Sequence, residues 1–381
     1  MSDIRPFAHA DIGEVSRLFL EVLVGSREPP TSSLRDCLAN LFLDGPFADP
    51  ELPSRVFVNA DGAIGGFIGV TVMPLVLGER PLRAAVCGAL MVEDRQGNPF
   101  AGPRLMKTVL AGPQDLTLSE TASEVSMAMW RQLRGQALPA YSLDWIRILS
   151  PARYGLDIMS RRLRLARLLQ PLADGADRLI RRGSKNARHR WSHVPGGFSQ
   201  SAALVIEDTD DGTFGAIVRE CVASHALHPA WSDVQLGVVA SARHKPDWGN
   251  VARRVVRERS GRPIGAFIYH ARPGHVARVL QLLATPGRED AVFDCLLADA
   301  GRAGATALHG RSQPWLLETL MRRRCMLFNN DWSVVHSRDP EILAAFKHGD
   351  AFFNGLAGEH WMPLSGGGYR LKAGSSTTRQ G

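Results

Sequence analysis

Cysteine is sparse and scattered. Cys37, Cys87, Cys221, Cys295 and Cys325 lie far apart and mostly inside apolar segments, so neither a disulfide framework nor a zinc-ligand spacing is present. The chain also lacks an uninterrupted apolar run long enough to cross a bilayer, and Met1-Ser2-Asp3-Ile4-Arg5 does not resemble a signal peptide. These absences point to a reducing, cytoplasmic setting. No Walker loop, dinucleotide fingerprint or nucleophile elbow occurs. The histidines lack metal-ligand spacing: His225 and His228 are three apart without an acidic or cysteine partner at hand, and no metal is expected.

An excess of one charge is missing from most of the chain. The net charge is +7, but Pro151 to His193 holds eleven basic residues (Arg153, Arg161, Arg162, Arg164, Arg167, Arg178, Arg181, Arg182, Lys185, Arg188 and Arg190) against three acids (Asp157, Asp174 and Asp177), a net of +8. The remainder is near neutral. That excludes a uniformly basic nucleic-acid binder and fits one basic connector between two near-neutral domains. A chain of 381 residues is long enough for two cores.

The stretch from Val86 to Gly135 organises what is present. Ala85 to Val92 is an apolar run of strand length, broken by Glu93-Asp94-Arg95-Gln96-Gly97-Asn98-Pro99. Leu105, Met106, Val109 and Leu110 then recur at helical spacing until Gly112-Pro113. Leu116-Thr117-Leu118 reads as a short strand, with Ser119-Glu120-Thr121 as a capping composition before a helix carrying Val125, Met129, Trp130 and Leu133. Upstream, Arg55 to Val58 and Ile64 to Leu75 flank an Asp61-Gly62 turn, a hairpin signature. Gly65, Gly66 and Gly69 inside the second run mark a bulge or a close backbone approach.

This order resembles the core of the GNAT acyltransferases, which move an acyl group from acyl-coenzyme A to an amine. The resemblance implies an α/β (α+β) fold in which the fourth strand splays from the fifth and acetyl-CoA or another acyl-CoA lies between them. It implies a pyrophosphate loop over Gln96, Gly97, Asn98, Phe100, Ala101 and Gly102, with Leu90, Met91 and Val92 on the splayed strand. Two features depart from the pattern. Pro99 stands where the central glycine belongs and has no N–H, and Pro103 looks like an insertion. Free N–H groups at a helix N-terminus would still favour phosphate oxygens.

The same grammar returns in the second half: Val251 to Glu258, Ile264 to His270 and Val276 to Leu283 as strands, a helix from Glu289 to Gly301, and final strands at Met326 to Phe328 and Trp332 to His336. The expectation is two tandem GNAT-like domains, each a mixed, mostly antiparallel sheet flanked by helices. Residues 1–150 form the first, 151–200 a basic helix and linker, 201–364 a degenerate second copy, and 365–381 a disordered tail. Tyr141 to Leu149 is expected to close the first domain. In the connector, Leu156, Met159, Leu163, Ala166, Leu169 and Leu172 form a stripe read as packed between domains, with contact of 151–193 to an anionic membrane as the alternative. The second copy places Glu289 and Asp290 at the helix start, where acids would repel a pyrophosphate.

Acyl transfer to an amine needs a base, donors for the oxyanion and an acid for the thiolate. Glu93 and Glu120, near the end of the splayed strand and the next helix, are the candidate bases. Where the family often has a tyrosine as thiolate acid this chain has Trp130, which cannot give up a proton, and Ser126 lies one turn earlier. The expected acceptor is a small-molecule or envelope-precursor amine, without nucleic acid. A fold that binds or scaffolds without turnover is the competing expectation, carried by Pro99 and Trp130.

Overall fold

A computed structural model of the chain describes residues 3–162, 169–182, 204–241 and 245–370. Along the chain the strands are β1 Asp3–Pro6, β2 Arg55–Val58, β3 Ile64–Leu77, β4 Arg80–Val92, β5 Leu116–Ala122, β6 Gln136–Ala137, β7 Leu143–Ile148, β8 Leu204–Asp208, β9 Leu227–Pro229, β10 Asn250–Glu258, β11 Pro263–Ala271, β12 Val276–Ala284, β13 Ala307–Arg311, β14 Met326–Asn329 and β15 Trp332–Ser337. The helices are α1 Ile12–Phe19, α2 Ser32–Ala39, α3 Ala101–Leu110, α4 Glu124–Gln132, α5 Pro139–Ser142, α6 Pro151–Arg162, α7 Gln170–Arg182, α8 Asp211–Val222, α9 Asp233–Ser241, α10 Glu289–Arg302, α11 Leu317–Arg322 and α12 Pro340–Lys347.

Two sheets result. The first runs β1-β2-β3-β4-β5-β15-β6, with β9 pairing the far end of β3, and the second runs β8-β10-β11-β12-β13-β7-β14. Each is antiparallel except at one seam, β4 with β5 in the first and β12 with β13 in the second. The sheets therefore share one topology, position for position. The strand next to the parallel seam is exchanged between the chain's halves: β15 lies against β5, and β7 lies against β13.

The compact units are accordingly discontinuous. One comprises 1–139, 226–242 and 331–381, the other 140–225 and 243–330. The strand near Trp145, expected to close the first domain, belongs to the second sheet, and the strand at Trp332 belongs to the first. Both runs are short, and the partner of a short strand is set by the sheet edge available to it rather than by its local sequence. Each unit has its own core. In the first, Phe57, Ile68, Leu105, Met106 and Trp130 pack together under the sheet. In the second, Trp145, Phe267, Tyr269, Phe293 and Leu296 do so.

Three other expectations are corrected. Ser119, Glu120 and Thr121 are strand residues of β5, and the cap of α4 is Ser123, whose Oγ accepts from the Ser126 N–H at 3.3 Å. The tail is ordered through Arg370, because Tyr369 is buried and meets Phe19 edge to face at 5.3 Å; residues 371–381 lie outside the described residues. The connector is two helices, α6 and α7, that pack on each other. Its apolar stripe is not covered: Met159, Leu169 and Leu172 are exposed, while Leu163, Ala166 and the linker at 183–200 fall outside the described residues.

Candidate active site

The parallel seam of the first sheet is short. β4 and β5 pair from Ala84 to Val86 against Leu116 to Leu118. Beyond Val86 the two strands part. The cause is legible on the other edge of β4, where Phe67 faces Met91 but Gly69 faces Gly88, so β4 carries one extra residue around Ala89-Leu90. Ala89 takes the left-handed backbone conformation (φ 53°) that such a bulge requires. The kink turns β4 away from β5. Gly69 lets the bulged strand pair stay close to α2's continuation, since a Cβ there would lie 2.5 Å from the Phe42 ring.

The opening is a cleft of about 630 Å³ lined by the buried Ile68, Cys87, Gly88 and Glu359 and, from the loop after β4 and the start of α3, by Arg95, Asn98 and Gly102. The β5 and α4 side is lined by Ser119, Thr121, Ser126, Met129 and Trp130. Cys87 offers no nucleophile there, because burial, with Glu359 nearby, pushes its thiol far above the ordinary range.

Glu359 is the residue that sequence reasoning missed. It arrives on the segment after α12, whose turn opens with Asn354 and Gly355 at positive φ. Its Oε1 accepts from Ser119 Oγ at 2.8 Å, the Glu120 N–H at 2.6 Å and the Thr121 N–H at 3.2 Å. Its Oε2 accepts from Thr121 Oγ1 at 2.8 Å. Among the described residues no second donor reaches Oε2, which lies against Gly88, where a Cβ would come within 3.1 Å of it. Burial pushes the Glu359 pKa up; the hydrogen bonds from Thr121 and Ser119 partly oppose this, and the neighbouring Glu120 charge adds to it.

Glu120 performs the reciprocal task. It is fully buried, and its Oε1 accepts from the Gly355 N–H at 2.9 Å, while Oε2 accepts from the N–H groups of Glu359 at 2.6 Å and His360 at 3.1 Å. The His360 Nδ1 lies 2.6 Å from Oε1. Each glutamate thus binds the backbone of the other's segment. Glu120 anchors the tail and does not line the cleft. Glu93 does not line it either: its carboxylate pairs with Arg17 at 2.8 Å.

The expected loop is partly present. Asn98 and Gly102 line the cleft, as do Leu90 and Val92 on β4, whereas Met91 and Ala101 are buried in packing and Phe100 is 72% exposed. The Gln96 and Gly97 N–H groups are not free, because both donate to Asp94 Oδ1, at 3.1 and 2.8 Å. The Ala101 N–H is taken by the Asn98 carbonyl. The N–H groups of Phe100 and Gly102 have no acceptor among the described residues, and they open α3 beside Arg95.

The fold recurs in solved structures. The chain matches a protein of unknown function from Enterococcus faecalis V583, a probable N-acyltransferase, with a TM-score of 0.57 at 10% identity over 88% of this chain and 73% of that one. It matches a GCN5-related N-acetyltransferase from Anabaena variabilis ATCC 29413 with a TM-score of 0.58 at 10% identity, over 89% and 74%. A third, from Kribbella flavida and also a GCN5-related N-acetyltransferase, gives 0.53 at 12% identity, over 89% and 72%. The chain has the GNAT fold. No family model matches the sequence, and no curated protein does. At such identities the likeness fixes the fold alone.

The second GNAT-like sheet repeats the bulge but not the loop. Ile268 faces Gln281 and Tyr269 faces Val279, leaving one extra residue in β12 at Leu280. After β12, however, the Gly287 N–H donates to Glu289 Oε1 at 2.9 Å, so a carboxylate of the chain itself occupies a donor of this loop. Along β13, the Trp145 ring fills the space over Gly310, where a Cβ would lie 2.6 Å from it. Neither groups of three or more metal-ligating side chains nor a helix long and apolar enough to cross a membrane occurs among the described residues.

Proposed function

We propose that this chain is an acyl-CoA-dependent N-acyltransferase of the cytoplasm. Its donor lies in the cleft between β4 and β5, and its acceptor is a small-molecule or envelope-precursor amine. The observation that carries the reading is the Glu359 carboxylate, buried in an opened parallel seam with one oxygen unsaturated and its pKa raised. The cleft has the volume of a small-molecule site. The N–H groups of Phe100 and Gly102, the start of α3 and Arg95 fit an anionic head group; acetyl-CoA or another acyl-CoA, when bound, supplies the activated thioester.

The roles of the chain's own residues follow. Glu359 Oε2 accepts a proton from the acceptor ammonium, and its raised pKa brings it toward the range where a general base works near neutral pH. The bulge takes the backbone at Ala89-Leu90 out of the ladder beside the cleft, and an N–H freed there would stabilise charge on the thioester oxygen. Ser126, one turn into α4, donates a hydrogen bond to the departing sulphur, since Trp130 has no acidic proton. Glu120 holds Glu359 in place. The second unit holds no coenzyme A, because Glu289 satisfies its loop.

One observation favours a non-catalytic binding protein: Asp94 occupies two of the loop's N–H groups, and Pro99 lacks one. Calorimetry with coenzyme A, followed by thiol release from acetyl-CoA with a panel of amines, separates the readings. Binding with amine-dependent thiol release that Glu359→Gln abolishes supports the enzyme. Binding without release, unchanged in that variant, would leave only the scaffold.

A further inference from the structure

The α6–α7 pair is built inside out. Its inward residues are small or polar: Asp157 and Ser160 of α6, and Ala173 and Asp177 of α7, are buried. Tyr154 and Leu156 are half-buried, but four large apolar side chains are exposed, Ile158 by 45%, Met159 by 50%, Leu172 by 70% and Leu179 by 70%. A pair that needed only to pack would be patterned the other way.

All three acids of the segment are engaged internally. Asp177 accepts from the N–H groups at the start of α6, Ala152 at 2.9 Å and Arg153 at 3.1 Å. Asp157 holds the His275 ring at 2.6 Å, and Asp174 pairs with Arg153 at 3.3 Å. Residues 151–193 carry eleven basic residues against these three acids. The exposed apolar residues are thus presented by the most positive segment of the chain, whose three acids each have a partner of their own.

We propose that the α6–α7 face docks on an anionic lipid surface. Charge decides the occupant. A second copy meeting this face about a two-fold axis would bring the same positive segment against itself. A bilayer of anionic lipid instead attracts each arginine, and it accepts separate, convex apolar side chains without requiring a complementary pocket. The inference is independent of the reaction assigned to the cleft.

The test uses the full chain, sedimented with phosphatidylglycerol-containing vesicles and with pure phosphatidylcholine vesicles, at low and high salt. The expected result is binding to the anionic vesicles alone, weakened by salt. Leu172→Asp with Leu179→Asp, both at exposed sites, should abolish it without changing the melting temperature. Glutamine at Arg161, Arg162, Arg164 and Arg167 should weaken it by about two to three orders of magnitude. Failure to sediment with either vesicle would overturn the proposal, as would equal binding to neutral vesicles. A parent dimer in velocity sedimentation that Leu172→Asp makes monomeric, with no vesicle binding, would overturn it in favour of a second copy.

Discussion

Glu120→Gln removes one negative charge and one acceptor from the centre of the first unit while keeping the side chain's shape. In the parent, three tail N–H groups, those of Gly355, Glu359 and His360, end on the two carboxylate oxygens. Gly358 is held so close that a Cβ there would lie 2.1 Å from Oε2, so the segment cannot shift to find other acceptors without leaving the strand. A glutamine keeps one oxygen and turns an NH2 toward at least one of these donors. Bonds to a charged group contribute about 1.5–3 kcal/mol each, and a buried donor left without an acceptor costs about 1–3 kcal/mol. Losing one bond and weakening the others, less the relief of repulsion with Glu359, gives a net loss of about 2–4 kcal/mol. For a domain of this size that lowers the melting temperature by about 4–16 °C. Thermal unfolding measures it, and limited trypsin digestion should release the tail from the variant sooner than from the parent. A variant that melts with the parent and protects its tail equally would refute the reciprocal clamp.

Glu359→Gln should lower kcat by about two to four orders of magnitude with coenzyme A affinity unchanged, measured by thiol release and calorimetry. Because a base must be deprotonated, the acid limb of kcat/KM should lie above the ordinary carboxylate range of about 4.3 and vanish in this variant. The sign for stability is opposite: with its pKa raised in the folded state, Glu359 makes the parent lose stability as pH rises through that window, a slope that Glu359→Gln removes in urea titrations. Asp94→Asn should tighten coenzyme A binding by roughly tenfold, since a carboxylate now sits on the loop's N–H groups, and Gly102→Asp should weaken it; equal affinities by calorimetry in both would misplace the pyrophosphate. Ala89→Gly should stabilise the protein by about 1 kcal/mol in urea unfolding, because Ala89 bears a left-handed conformation that glycine adopts freely; a loss would contradict the bulge.

The fold was legible where local pattern determines it. Strand, broken loop and helix between Val86 and Leu110 depend on apolar spacing and on Gly and Pro, and they stand where that spacing puts them. The exchange of β7 and β15 was not legible, because register and partner choice of a short strand depend on which sheet edge is available, a non-local matter. The cleft was half legible. Leu90, Val92, Asn98, Gly102 and Ser126 line it. Glu93 and Glu120 looked like bases because they flank the right strands, yet Arg17 neutralises one and the tail's backbone engages the other. Glu359 is 239 positions from Glu120. In the sequence it shows only as a Gly358-Glu359-His360 beside Trp361, with nothing local to tie it to β5.

The exchanged strand and the distant glutamate are one design. Glu359 reaches the seam between β4 and β5 because β15 first returns the chain to the edge of β5, and α12 and the turn at Asn354 then direct it back across the open end of the same strand. The first sheet therefore acquires its carboxylate only after the whole second half has been made. Most of the residues between β7 and β15 build the second unit, so the strand that closes the first sheet and the glutamate beyond it come last in the chain.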